Sequence, residues 1–228
     1  MRSVIENQIS RKLITGVTGL GLTLFVLIHM IGNLSYFSPD PDAYNRYSDT
    51  LVGLGPLLWV VETGLLAFFV FHAYLGISIW RKKQSARSIG YEVYRSAGSP
   101  SMQSTASRSM IVTGGILLVF LVIHLLSFKY GPGIGEGYVV SIDGNDMRDM
   151  KRLLEEKFAS PLYTFGYVAV MMLLAVHLRH GFWSALQSLG AMNPRLTPIV
   201  YSAGLFIGVL IAIGFLALPL YIYFFVAR

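Results

Sequence analysis

Five runs of about 20 apolar residues, each long enough to cross a ~30 Å hydrocarbon core as a helix, constrain this chain more than any other feature. They occupy residues 13–36, 56–80, 110–130, 162–187 and 197–225. Inside lipid every backbone N–H and C=O must be satisfied within the chain, so runs of this length predict helices. The expected fold is all-α: an integral membrane bundle of five transmembrane helices, forming a single domain over residues 1–228. Composition agrees, because only 13% of the residues are charged and the mean hydropathy is +0.58, whereas soluble globular domains carry roughly 25% charged residues. The segment before the first run is not expected to be a cleaved signal, since that run is too long for a signal's apolar core and no small-residue cleavage site follows it. No internal repeat or low-complexity tract is visible.

Lys and Arg in short flanking segments mark the cytoplasmic side of a membrane. Arg2, Arg11 and Lys12 precede the first run; Arg81, Lys82, Lys83, Arg87, Arg95 and Arg108 lie between the second and third; Arg195 follows the fourth. These three segments share one side. The opposite connections carry Asp40, Asp42 and Asp49 against Arg46, and a stretch of mixed sign over 131–161. The N-terminus is therefore expected in the cytoplasm and the C-terminus outside. The net charge of +6 is explained by this topology rather than by a nucleic-acid partner. In the outer connection after the third run, Met147, Met150, Leu153, Leu154 and Phe158 fall at helical spacing before Pro161. That pattern predicts a short amphipathic helix over 147–158, capping the outer surface.

Four of the five histidines sit one per run inside apolar sequence: His29, His72, His124 and His177, with His180 one turn beyond the last. A polar ring in that setting needs a partner, commonly a group on a neighbouring helix. Depth separates these rings into two pairs. At 1.5 Å per residue, His29 and His124 on parallel helices lie ~20 to 22 Å from the cytoplasmic edge. His72 and His177, on helices running the other way, lie ~6 to 8 Å from that edge. Paired neutral imidazoles from separate helices are what a bis-histidine haem requires, together with an apolar slot for the ring. Small residues ten or eleven positions from three of the four histidines supply such a slot, Thr18 and Gly19, Thr113 and Gly114, and Gly166, whereas the position ten from His72 is Glu62. Such residues are also ordinary at membrane helix contacts. The chain has no cysteine, which excludes thiolate-ligated haem, covalent haem attachment and iron–sulfur clusters held by its own side chains.

At these residues the chain resembles the di-haem cytochrome b membrane anchor of succinate dehydrogenase and fumarate reductase, in its single-subunit, five-helix form. The most specific stretch is His177-Leu-Arg-His-Gly-Phe-Trp-Ser-Ala-Leu-Gln-Ser-Leu-Gly190, preceded by Phe158-Ala-Ser-Pro-Leu-Tyr163. Arg11-Lys12-Leu13 with Thr15, and His29 followed by Asn33, add to it. The likeness extends over most of the chain, with little contributed by 81–107 and 129–146. It implies that His72 and His177 ligate the haem b nearer the cytoplasm and that His29 and His124 ligate the outer one. It further implies a flavoprotein and an iron–sulfur subunit on the cytoplasmic face of a bacterial inner membrane, exchanging electrons with membrane quinone, menaquinone being the one expected. Arg11, Lys12, Thr15, Arg179 and His180 stand where they can meet propionates of the inner haem, and Asn33 and Ser127 stand similarly at the outer one. Topology and interhelical bonding are the competing roles for these side chains. The same anchor running in reverse serves quinol:fumarate reduction. Succinate itself cannot be oxidised by this chain, which lacks a flavin fold and cluster cysteines.

A proton-coupled transporter with a histidine relay is the alternative of another class. It predicts acidic partners beside the histidines and broken helices in repeated halves, and Glu62 is the lone acidic residue well inside a run. A quinol-oxidising cytochrome with two histidines along each of two helices is also disfavoured, since no run carries such a pair of ligands. Glu62 lies ~9 Å below the outer edge, close to the depth of His29 and His124. A carboxylate there requires a partner or a proton, and it is the expected proton-handling group of a quinone site beside the outer pair.

Overall fold

A computed structural model describes residues 7–85 and 105–227; Arg2, Arg87 and Arg95, which enter the charge argument, lie outside them. Five helices among the described residues are long and apolar enough to cross a membrane, and the chain is a multi-pass membrane protein. Helix α1 (Gln8–Asn33) starts where the Asn7 side chain accepts the Ile9 amide, and it continues through a 3-10 turn at Leu34–Phe37. Helix α2 (Ala43–Gly53) is short. Helix α3 (Pro56–Ser85) starts on a proline, whose missing N–H costs nothing in a first turn. Helix α4 (Thr105–His124) closes with one π turn at Leu125–Lys129. A hairpin of β1 (Val139–Ile142) and β2 (Asn145–Arg148) leads to α5 (Met150–Phe158). Helix α6 (Pro161–Ser188) ends at Gly190, whose φ of +77° lets the chain turn out of the helix. Helix α7 (Leu196–Tyr221) adds a second π turn at Ile222–Val226.

Helices α1, α3, α4 and α6 carry the four histidines, and α7 packs outside them along α6 and α1. Glycines set that outer packing. A Cβ on Gly204 would sit 3.1 Å from the Arg179 carbonyl, and one on Gly208 3.0 Å from that of Ala175. This is the small-xxx-small contact that lets membrane helices approach closely. Helix α3 leans on α1 and touches α4 little, so most of its apolar surface faces outward.

One element was not anticipated and one expectation is corrected. The connection over 38–55 contains α2, a helix that its mixed polar sequence did not announce. The amphipathic helix begins at Met150, not Met147, because Asp143-Gly144 forms a two-residue turn with both φ values positive. Such a turn matches the twist of a hairpin. It places Met147 on β2, opposite Val140. The cap helix also turns its apolar face onto the protein rather than into lipid. Leu153, Leu154 and Phe158 are buried with Tyr44, Phe128, Leu218 and Ile222. Asn45 ties α2 to α5, donating to Asp149 (3.0 Å) and accepting from the Lys151 amide (2.9 Å). Arg46 pairs with Asp143 in the hairpin turn. One end of the bundle is thus capped by α2, the hairpin and α5.

Candidate functional site

Two pairs of imidazoles form inside the four histidine-bearing helices. Near the capped end His29 on α1 and His124 on α4 have ring centroids 5.7 Å apart and planes at 87°. Toward the opposite end His72 on α3 and His177 on α6 are 6.5 Å apart at 67°. The packing around Gly19 relates the two levels: a Cβ there would lie 3.1 Å from the His72 ring, and Gly19 is ten residues, or about 15 Å of helix, from His29.

Hydrogen bonds orient these rings. Nδ1 of His72 faces the Thr15 carbonyl at 3.2 Å, and a carbonyl only accepts, so the proton is on Nδ1 and the lone pair on Nε2. Thr113 places its hydroxyl oxygen 3.2 Å from the Ser109 and Met110 carbonyls and 3.0 Å from Nδ1 of His177. Its hydrogen goes to its own helix, so it accepts from Nδ1–H and again leaves Nε2 with the lone pair. This is the arrangement by which an outer partner fixes the tautomer of a metal-ligating histidine. In the other pair, Nδ1 of His124 lies 3.3 Å from the Tyr167 hydroxyl. The Asn33 amide donates to the His29 carbonyl (2.8 Å) and to Nε2 of His29 (3.3 Å), and it accepts from Tyr44 (3.2 Å).

Among the described residues, no group of three or more His, Asp or Glu side chains gathers as a metal site. Two opposed imidazoles alone do not satisfy free zinc, which takes four ligands. They are the entire protein contribution to an iron whose other four positions are porphyrin nitrogens. A metal–imidazole bond of about 2 Å on each side, with about 1 Å from nitrogen to ring centre, sets centroids roughly 6 Å apart. The spacings of 5.7 and 6.5 Å bracket that value. The surroundings fit as well. Thr18, Thr23 and Thr113 are buried, each with its hydroxyl turned to its own helix. Beside Gly166, a Cβ would meet nothing within 4 Å. The buried Nδ1 of His180, one turn from His177, has no partner within the described residues. The four histidines therefore fit two haems.

No family model, curated protein or solved structure matches the chain. The geometry of the site must carry its interpretation.

Other predicted residues fall differently. Arg11 is buried and donates to Ser78 Oγ at 2.7 Å, on the α3 face six residues from His72. Lys12 is exposed. Thr15 reaches His72 through its carbonyl, while its hydroxyl donates to the Arg11 carbonyl. Arg179 is exposed, with its Cβ toward Gly208 of α7 rather than toward the histidines; it is half a helix turn from His177, and two residues of α-helix rotate by about 200°. Ser127 donates to the Ile123 carbonyl and lies 3.0 Å from the Tyr163 hydroxyl. Glu62 has a partner the sequence reading did not name: it forms an ion pair with Lys129, at the end of α4. Tyr44 and Tyr167 were also missed, since aromatic residues are common near membrane interfaces for reasons unrelated to a site.

Proposed function

We propose that the chain is the di-haem cytochrome b anchor of a succinate:quinone oxidoreductase in a bacterial inner membrane. The observation that carries the reading is the pairing of four imidazoles on four helices at two levels, His72 with His177 and His29 with His124. The resemblance of 177–190 to that family supplies the partners. In this reading the end opposite the cap, with Arg11, Lys12, Arg81, Lys82 and Lys83, faces the cytoplasm and receives the iron–sulfur and flavoprotein subunits. The capped end faces outward.

Haem b, when bound, supplies a one-electron carrier at each level. His72 and His177 would hold one through Nε2, with Thr15 and Thr113 keeping Nδ1 protonated. His29 and His124 would hold the other, and ligation through Nε2 of His29 would replace its contact with Asn33. His180, with its buried unpartnered nitrogen, and Arg11 stand near the propionates of the inner group. Glu62 delivers protons at the capped end: a quinone takes two electrons, which come from succinate through the partner subunits, and two protons, and leaves as hydroquinone.

A dithionite-reduced minus oxidised spectrum with pyridine haemochrome quantification tests the reading. Two haems b per chain are expected, with His72→Ala or His177→Ala removing one and His29→Ala or His124→Ala the other. A chain without haem overturns the proposal, and loss of the same haem from His29→Ala and His72→Ala overturns the pairing.

A further inference from the structure

The ion pair between Glu62 and Lys129 has a cause in the backbone. The Tyr130 amide donates to the Leu125 carbonyl at 2.8 Å, five residues back instead of four, so the last turn of the span is wound wide. Five residues of α-helix turn through about 500° and would leave Lys129 roughly 140° round the helix from His124. At about 4.4 residues per turn the same five residues cover about 410°, which brings Lys129 within roughly 50° of His124. The wide turn thus swings the ammonium to the side of α4 that carries the histidine, where it meets the Glu62 carboxylate of α3.

That turn is itself held. Arg148, the last residue of β2, donates to the carbonyls of Phe128 (2.8 Å), Gly131 (2.9 Å), Pro132 (2.9 Å) and Lys129 (3.3 Å). The first and last of these are carbonyls that a helix end leaves without intrahelical partners, and the other two belong to the loop that follows. Gly131 is required there, since a Cβ would sit 2.2 Å from the Ser127 carbonyl oxygen. Helices α3 and α4 touch little elsewhere, and each side chain of the pair remains about one-third exposed. Both partners stand on apolar helices long enough to cross a membrane, so in the proposed reading this exposed surface is met from lipid, the phase from which an apolar quinone arrives.

We propose that Lys129 is the positioning residue for Glu62, aiming its carboxylate at the site, and that Arg148 sets Lys129 by fixing the wide turn. The proposal rests on Glu62 being the proton-handling group for quinone. An intramembrane carboxylate is costly without a counter-charge, and Lys129 supplies one from a neighbouring helix while leaving the carboxylate within reach of a head group. No part of this assignment requires Lys129 to touch substrate.

The test uses the assembled complex in membranes, with 2,3-dimethyl-1,4-naphthoquinone as the probe and dye-linked succinate oxidation, an activity of the partner subunits, as the measure of assembly. Lys129→Gln is expected to lower kcat for the naphthoquinone at least tenfold with KM within twofold, at unchanged haem content, and Lys129→Arg is expected to recover a third or more of the lost rate. Arg148→Gln leaves both partners in place but frees the turn, and a threefold or greater fall in kcat is expected; this variant carries the test if Lys129→Gln fails to assemble. Wild-type kcat in Lys129→Gln or Arg148→Gln, while Glu62→Gln is impaired, overturns the positioning role alone. Wild-type kcat in Glu62→Gln overturns the underlying reading of Glu62 and the proposal with it.

Discussion

Replacing Thr113 with valine tests the inner histidine pair without removing a ligand. The hydroxyl of Thr113 accepts from Nδ1–H of His177 at 3.0 Å, and valine keeps the branched shape while deleting that acceptor. An acceptor on Nδ1–H makes the ring more basic at Nε2, which favours ferric over ferrous iron in the proposed haem. Its loss should raise the inner potential. A neutral hydrogen bond contributes ~0.5–1.5 kcal/mol. If all of that differs between the two oxidation states, the shift is ~20–65 mV for a one-electron couple, because 59 mV corresponds to a tenfold change. The assay is an optical redox titration of both haems. Tyr167→Phe is the internal control, since the Tyr167 hydroxyl lies 3.3 Å from Nδ1 of His124 and its removal should move only the outer potential. The reasoning is refuted if Thr113→Val lowers the inner potential, moves the outer one, or leaves both in place.

Asn45→Ala should loosen the cap without touching the histidines. Asn45 is buried and makes one bond to the Asp149 carboxylate and one to the Lys151 amide, together worth ~2–4 kcal/mol; thermal unfolding and proteolysis within 137–152 should report the loss. The exposed Arg46–Asp143 contact adds a pH dependence, since hydrogen bonding and charge from Arg46 hold the Asp143 carboxyl below its usual range. A carboxylate depressed in the folded state stabilises at neutral pH, and that contribution disappears as pH falls through the depressed value. The unfolding midpoint of Asp143→Asn should therefore fall slightly below wild type at pH 7 and converge with it in acid below the usual carboxylate range.

The bundle was readable because two simple regularities act on it. A ~30 Å core demands runs of about 20 apolar residues, and the observed helices overrun the expected ends by up to five residues, at Gln8, Ser85 and Thr105. A constant helical rise turns residue counts into depths, so counting alone put His29 level with His124 and His72 level with His177. Residues chosen by closeness in sequence were less secure, as Arg179 shows: two positions from His177, it stands on the opposite face of α6 with its Cβ toward Gly208.

The cap helix was legible, but α2 and the hairpin beside it escaped for a different reason. These elements are short, and their apolar faces meet each other rather than lipid, so no run length betrays them; α2 hides its buried Tyr44 and Asn45 in a polar stretch. Asp143-Gly144 is a strong hairpin signal, but helical spacing over Met147 to Phe158 competed with it, and the turn won because it pairs Asn145–Arg148 with Val139–Ile142 and so takes Met147 and Arg148 into a strand. Lys129 was hidden more deeply. Any reading that assumes 3.6 residues per turn aims it away from His124, and only the wide turn after Leu125, braced by Arg148 from a distant strand, brings it to Glu62. An intramembrane carboxylate announces that a partner exists. To find that partner here requires asking which cations at the ends of neighbouring helices can be rotated into reach, a question about backbone winding that side-chain periodicity cannot answer.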